Sequence, residues 1–433
     1  MEPLSLASKP AKHFYALINY EDEYVQPLIL SALKARLPAG SYTLISSISE
    51  LPSPETPFLQ VGAYESLPFE EAISYPTSTL INAYIIRKAL IRKHYLSTTA
   101  YNWIAKNPTS ILKTNVKPAC DFELDYAEFL DEALVEAWEL QESFQKNEGK
   151  EPEDREWWIL KPGMSDRGEG IRLFSTETEL QSIFEEWEAD APDSESENDD
   201  SESAEKENED GDKEEKDDGD YIVTSHLRHF IAQPYIHPPL LLSTPQPSKF
   251  HIRTYVLASG SLSIHVYRPM LALFASAPYT PPWTSPSLLS PHLTNTCLQS
   301  PTSLPPVKAF WSLQGITEEM KEDIWKQICS ITGEIFEAAA RGMMVHFQTM
   351  PNAFEVFGVD FLVDGEGRAW LLEVNAFPDF RQTGNELRGL VGGLWEEVVG
   401  RVVGGFFGIE GEGEKEGEGD LVCARRVELG RKA

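Results

Sequence analysis

Residues 354–375 read FEVFGVDFLVDGEGRAWLLEVN. Two runs rich in Val, Phe and Leu flank Asp364-Gly365-Glu366-Gly367, which predicts a β-hairpin of Phe354–Val363 and Arg368–Val374. Side chains alternate faces along a strand. With an even number of turn residues, Asp360 lies opposite Leu371, and Glu373 is one diagonal step away, about 7–8 Å at Cα. Asp360, Glu373 and Asn375 then share a face. Two carboxylates and an amide are hard oxygen ligands of the kind that hold Mg²⁺ against nucleotide phosphates. An odd turn puts Asp360 on the other face and removes the argument. Two solvent-facing acids on an outer sheet face are the plainer alternative. The apolar neighbours Phe357, Val359, Phe361, Leu372 and Val374 require cover on one side at least.

Upstream, Lys249–Leu257 (KFHIRTYVL) and Leu262–Met270 (LSIHVYRPM) flank Ala258–Ser261 and read as a second hairpin. Lys249, His251 and Arg253 alternate and so share a face, with Arg268 coming from the paired strand. Cationic groups crowded on one face repel unless an anion sits among them, which points to a phosphate or carboxylate site. A basic exterior face is the alternative. Thr294 and Asn295, in a Pro-bounded stretch, are hydrogen-bond donors with a negligible signal of their own.

Further upstream, the strand Trp157–Leu160 (WWIL) runs into Lys161-Pro162-Gly163, then Ser165, Arg167, Gly168 and Gly170, before a strand at Ile171–Phe174. A lysine ending an apolar strand reaches a phosphate as a point charge. A glycine-containing turn presents backbone N–H groups to phosphate oxygens. No G-x₄-G-K-[ST] sequence is present, and Gly168-x-Gly170 leads into a strand rather than a helix, which excludes a Walker A loop and a dinucleotide fingerprint. Taken alone, the stretch is as well read as a glycine hairpin.

Elsewhere, Phe14–Asn19 predicts a strand and Val25–Leu37 a helix, the opening of an α/β lobe. Asp125–Gln145 predicts a helix with Phe129, Leu130, Leu134 and Trp138 on its apolar face. His229–Ile236 is a strand, Thr317–Arg341 a helix, and Leu387–Phe407 an amphipathic helix. Residues 276–308 are Pro/Ser-rich and loop-like apart from His292–Gln299. Expected segments are an N-terminal α/β lobe at 13–75, a central lobe at 76–233, a C-terminal lobe at 234–408 and a flexible acidic tail at 409–433.

The net charge of −32 argues against a general nucleic-acid or anionic-membrane binder. Much of it is local. Residues 190–220 carry 17 acids against three lysines and predict a disordered insertion, and 410–419 (EGEGEKEGEG) form a second acidic tract. By contrast, residues 81–117 hold seven Lys or Arg (Arg87, Lys88, Arg92, Lys93, Lys106, Lys113, Lys117) and no acid. That stretch is a solvated face or a landing strip for an acidic partner or phosphates. No run of 18 apolar residues and no signal-peptide pattern occurs. The four cysteines lack metal-ligand spacing and read as reduced intracellular thiols.

In their joint order, WILKPGMSDRGEGI (158–171), AQPYIHPPLLL (232–242), KFHIRTYVL (249–257), VYR (266–268), HLTN (292–295), FEVFGVDFLVD (354–364) and WLLEVN (370–375) resemble the tubulin–tyrosine-ligase-like proteins of the ATP-grasp superfamily. The resemblance implies an α/β (α+β) ATP-grasp fold with the nucleotide between two sheet lobes. It implies that Lys161 and Lys249 hold phosphates under a loop carrying Ser165, Arg167, Gly168 and Gly170. Gln233, Tyr235 and Ile236 would line the adenine, and Thr294 and Asn295 would approach the terminal phosphates. Asp360, Glu373 and Asn375 would bind Mg²⁺. Arg253 and Arg268, with Lys249, would stabilise an acyl-phosphate or the acceptor carboxylate. The implied reaction joins an amino acid to a protein carboxylate, such as the tail of tubulin, with ATP. Two departures stand out. His251 occupies the position of the Asp in the family's KFDIR, and Pro234 replaces a hinge lysine. Both resemble a fungal subgroup linked to mRNA processing bodies and decapping factors. That implies a cytoplasmic, P-body protein whose alternative role is an ATP-binding scaffold in a decapping complex.

Overall fold

The computed structural model describes residues 13–163, 170–190, 227–294, 307–409 and 419–429. Ser165, Arg167, Gly168 and Asn295 lie outside the described residues, as do 191–220 of the acidic insertion and 410–418 of the second acidic tract. The chain divides into two compact units, one of residues 1–119 with 236–433 and the other of 120–235. The four segments expected from sequence cut differently: residues 76–119 belong with the first unit, not with 120–233.

The first unit opens with strands β1 (Phe14–Asn19), β2 (Tyr42–Leu44), β3 (Phe58–Gly62) and β4 (Thr79–Ile81), all parallel in the order β2-β1-β3-β4. Parallel neighbours need crossover connections, and the helix Gln26–Arg36 supplies the one from β1 to β2. Its Ile29, Ala32 and Leu33 are buried, as the apolar spacing of the segment predicts.

The second unit is a four-stranded antiparallel sheet, β5 (Cys120–Glu123), β6 (Trp158–Pro162), β7 (Arg172–Phe174) and β8 (His229–Pro234), ordered β5-β8-β6-β7. Leu140, Phe184 and Trp187 from the helices Trp138–Asn147 and Glu177–Asp190 pack on Phe122, Trp158 and Phe230. The single helix expected over Asp125–Gln145 is broken. It runs as a 3-10 turn at Ala127–Phe129, one helical turn at Leu130–Ala133, and then Trp138–Asn147. Ala137 leaves helical geometry (φ −87°, ψ 60°), so the two halves are phased separately. Leu130, Leu134, Ala137 and Leu140 turn inward, while Phe129 and Trp138 turn outward at 45% and 71% exposure.

The remainder of the first unit is built on a large sheet: β9 (Phe250–Ser259), β10 (Ser263–Tyr267), β11 (Leu271–Phe274), β12 (Val307–Ala309), β13 (Phe354–Val363), β14 (Ala369–Ala376) and β15 (Leu421–Arg426). One side of β9 pairs β10 with its C-terminal half and β11 with its N-terminal half; the other side pairs β13, which pairs β14. The sheet is covered on both faces. On one, Ile328, Ile335 and Phe336 of the helix Glu318–Gly342 meet Val256, Ile264, Phe357 and Val359. On the other, Tyr255, Leu257, Tyr267 and Phe354 meet Phe14 of β1 and Leu394 and Trp395 of the helix Arg388–Val398. Thr317 caps the long helix by accepting from the Met320 N–H. Two-sided cover explains why β13 is buried along its whole length. Among the described residues, no helix is long and apolar enough to cross a membrane.

Candidate functional site

The acids of β13 and β14 come together by a different route from the one the sequence suggests. Val363 pairs with Ala369, Leu362 with Trp370 and Phe361 with Leu371. The turn between them is residues 364–368, an odd number, and a regular ladder would then set Asp360 opposite Leu372, with Glu373 on the far face. A β-bulge at this point absorbs Leu372. Asp360 pairs directly with Glu373 instead of Leu371, and Gly358 with Asn375. The expected even turn is therefore wrong, and the expected shared face survives because one extra residue restores the phase. Leu372 is spent packing beside Ile236, Leu362 and Trp370.

Asp360 also faces Arg253 across the β9–β13 ladder. The guanidinium grips the carboxylate with two bonds, Nε to Oδ1 at 2.5 Å and Nη2 to Oδ2 at 2.8 Å, both ends buried. Burial alone would push the Asp360 carboxyl up. Arg253, followed by His251, outweighs burial and holds it below the ordinary value. Asn375 Nδ2 donates to Glu373 Oε1 at 3.0 Å and lies 3.5 Å from Asp360 Oδ2. Gly358 makes the geometry feasible: a Cβ there would stand 2.9 Å from Pro378 Cβ and 3.3 Å from Arg253 Cδ. The glycine is the site residue that sequence reading passed over, although a glycine inside an apolar strand signals a close approach.

The three groups read as a cationic face are not three cations. His251 is fully buried, and burial lowers its pKa to about 4, so at neutral pH it is uncharged. Its Nδ1 lies 2.6 Å from Thr294 Oγ1, and its Nε2 is 3.7 Å from Asp360 Oδ1 without a hydrogen bond. The anion expected among the cations is Asp360 of the same sheet. Lys249 is buried just ahead of β9; burial first, and then the Lys249 charge, lower the pKa values of His237 and His292. His237 Nδ1 contacts the Tyr279 hydroxyl at 2.6 Å, and the Tyr279 ring meets His292 edge-on.

Arg268 is not in this group. The turn between β9 and β10 holds three residues, and Ser263 pairs with Ser259, so Arg268 follows the face of Ile264 and Val266, opposite that of Arg253. There it pairs with Glu322 and stacks on Trp311 and Trp325, 4.4 and 5.4 Å from the ring centres. A shared face for Arg253 and Arg268 is thus corrected.

In the second unit, Lys161 lies on β6 and donates to Gln233 Oε1 of β8 at 2.9 Å. Tyr235 follows β8, its N–H bonded to the Trp157 carbonyl at 2.7 Å. Gly170 holds φ +69°, and a Cβ on it would stand 2.5 Å from Pro162 Cγ, so only glycine fits where the segment re-enters beside β6. Ile236 belongs to the first unit, packed on Leu362 and Trp370.

The donor chemistry of Asp360, Glu373 and Asn375 fits a hard divalent cation. Like-charged carboxylates opposed across a ladder are unfavourable without positive charge between them, and Arg253 hydrogen-bonds only Asp360 of the two. Among the described residues, no three His, Cys, Asp or Glu side chains converge as a metal cluster. The protein alone therefore offers a partial shell, as is usual for Mg²⁺ shared with phosphates and water.

Comparison with known proteins identifies the family and the fold. A probable tubulin–tyrosine ligase of Schizosaccharomyces pombe is 42% identical over 423 residues, 98% of this chain and 99% of that one. The probable tubulin–tyrosine ligase PBY1 of Saccharomyces cerevisiae is 42% identical over 87% of this chain, which spans 50% of that relative. Among solved structures, the C-terminal domain of K. lactis Pby1 superposes with a TM-score of 0.70 at 33% identity, covering 96% of this chain and 99% of that domain. That domain is described as an ATP-grasp enzyme interacting with the mRNA decapping enzyme Dcp2. Residues 87–407 match the tubulin-tyrosine ligase family, and the chain belongs to that family and carries its ATP-grasp fold.

Proposed function

We propose that this chain is an ATP-dependent carboxylate–amine ligase that adds an amino acid to a protein tail through an acyl-phosphate. The observation that carries the reading is the bulged ladder that sets Asp360 against Glu373, with Asn375 beside them, Arg253 on the neighbouring strand and Lys249 just ahead of that strand. Asp360 and Glu373 would hold Mg²⁺, which when bound neutralises phosphate charge and orients the transferred group. Asn375 fixes the Glu373 carboxylate. Lys249 would meet a phosphate as a point charge, and Arg253 would orient Asp360 and offset charge developing on the acceptor carboxylate. In the second unit, Lys161 would meet a phosphate, and Gln233 and Tyr235 an adenine. With reactants held and charge screened, the reaction needs no side-chain nucleophile. ADP release should require both a protein carboxylate and an amino acid, with the amide visible as a mass shift on the acceptor tail; tubulin is the first acceptor to try. Release indifferent to the amine, or full turnover by Glu373→Gln, would refute the proposal.

A second reading rests on the fork itself. Arg253 engages both oxygens of Asp360, and a neutral imidazole occupies the place of the family's second acid. Both features favour an ATP-binding scaffold with little turnover in a decapping complex, in line with the K. lactis domain being described as interacting with Dcp2. On that reading, ATP binds without amine-dependent ADP release, and co-purification with decapping proteins survives both Lys161→Ala and Glu373→Gln.

A further inference from the structure

The segment that breaks its expected helix leaves large apolar side chains in water. Tyr126 and Phe129 touch ring to ring, with centroids 6.3 Å apart, and are 56% and 45% exposed. Val135 and Trp138, three residues apart, are 58% and 71% exposed. Four large apolar side chains exposed within residues 126–138 concentrate apolar surface in one segment, a feature of interaction sites. Helical periodicity offers no need for them: Leu130, Leu134, Ala137 and Leu140 already fill the inner face.

The rim decides what covers them. Residues 121–145 contain nine acids and neither Lys nor Arg. Arg228 reaches back to Glu123 and Asp125. Glu128, Asp131, Glu132, Glu136 and Glu139 are exposed and form no ion pair among the described residues. Nucleic acid and anionic lipid are repelled by such a rim. A second copy of a chain with net charge −32 is disfavoured for the same reason. We propose that this surface docks a cationic peptide segment of a partner protein, with apolar side chains seated on Trp138, Val135, Phe129 and Tyr126 and its Lys or Arg residues over the acidic rim. Aromatic anchors ringed by charge provide affinity and steering respectively.

The test titrates a fluorescein-labelled amphipathic peptide of lysine and leucine into the full chain. Its glutamate-for-lysine twin and an all-lysine peptide are the controls, and hydrogen exchange locates the contact. The amphipathic peptide should bind with an affinity that falls as salt rises, protect the segment 126–139, and lose at least about tenfold in affinity with Trp138→Ser, a change of about 1.4 kcal/mol. Glu132→Lys with Glu136→Lys should weaken it further. The glutamate twin should not bind. Trp138 is exposed, so Trp138→Ser should leave the circular dichroism spectrum and melting curve unchanged. Unchanged affinity in Trp138→Ser, equal binding of the glutamate twin, protection elsewhere, or concentration-dependent protection of 126–139 without any peptide would each overturn the proposal.

Discussion

Replacing Arg253 with Met removes the buried fork while keeping much of the side-chain bulk. Asp360 then stays almost wholly out of solvent, opposite Glu373, with no cation of the protein bound to it. Breaking one side of a buried ion pair costs about 3–5 kcal/mol, because the surviving charge keeps its desolvation penalty. At about 2 °C per kcal/mol for a unit of this size, the melting transition of the first unit should fall by about 6–10 °C. The double variant Arg253→Met/Asp360→Leu should recover most of that loss, since an apolar pair needs no compensation. The pH response gives the sign. Without Arg253, burial dominates and the Asp360 pKa rises above its unfolded value, so the single variant should lose stability relative to the parent as pH rises above about 4, the unfolded carboxylate value. Mg²⁺ should restore part of the loss by binding the freed carboxylate only in the folded state. Calorimetry across pH, with and without Mg²⁺, reads all three effects. A single variant within about 1 kcal/mol of the parent, or a double variant no better than the single, would show that the fork does not govern the Asp360 charge.

Gly358→Ala should destabilise the first unit by about 1–3 kcal/mol, since its Cβ meets Pro378 and Arg253 at sub-contact distances; denaturant titration checks this. His251→Asp, which restores the family acid, places a second buried carboxylate beside Asp360. It should melt earlier in EDTA and gain more from Mg²⁺ than the parent, and equal Mg²⁺ gains would refute a cation at this position. His265 is buried between Arg401 and Arg426; burial first, then these charges, lower its pKa to about 4. The folded state therefore binds fewer protons than the unfolded one between about pH 4 and 6.5, and stability is lost as pH falls through that window. His265→Leu should flatten this slope in acid titrations followed by circular dichroism.

Much of the fold was legible because apolar periodicity and turn composition are local properties. Phe14–Asn19, the Gln26–Arg36 helix and both central hairpins follow from them directly. The helix over 125–145 misled for the same reason: Phe129 and Trp138 have inward spacing only if the backbone stays helical through Ala137, which it does not. His251 looked cationic because charge was assigned by residue type, whereas burial makes it neutral.

The sequence by itself determined the inventory of this site: two carboxylates and an amide on neighbouring strands, basic residues at alternate positions of another, and glycines where a backbone must pass close. Only the tertiary structure decided which of them meet. A strand's faces exchange with every residue of offset, so one residue in a turn or a ladder reverses a prediction. The odd turn at 364–368 would have separated Asp360 from Glu373, and the bulge at Leu372 reunites them. The three-residue turn after β9 sends Arg268 to the Trp325 side of the sheet, away from Arg253. Registers of this kind are set by which hydrogen bonds close and which side chains find room once the whole sheet is packed, and no local pattern of residues records them.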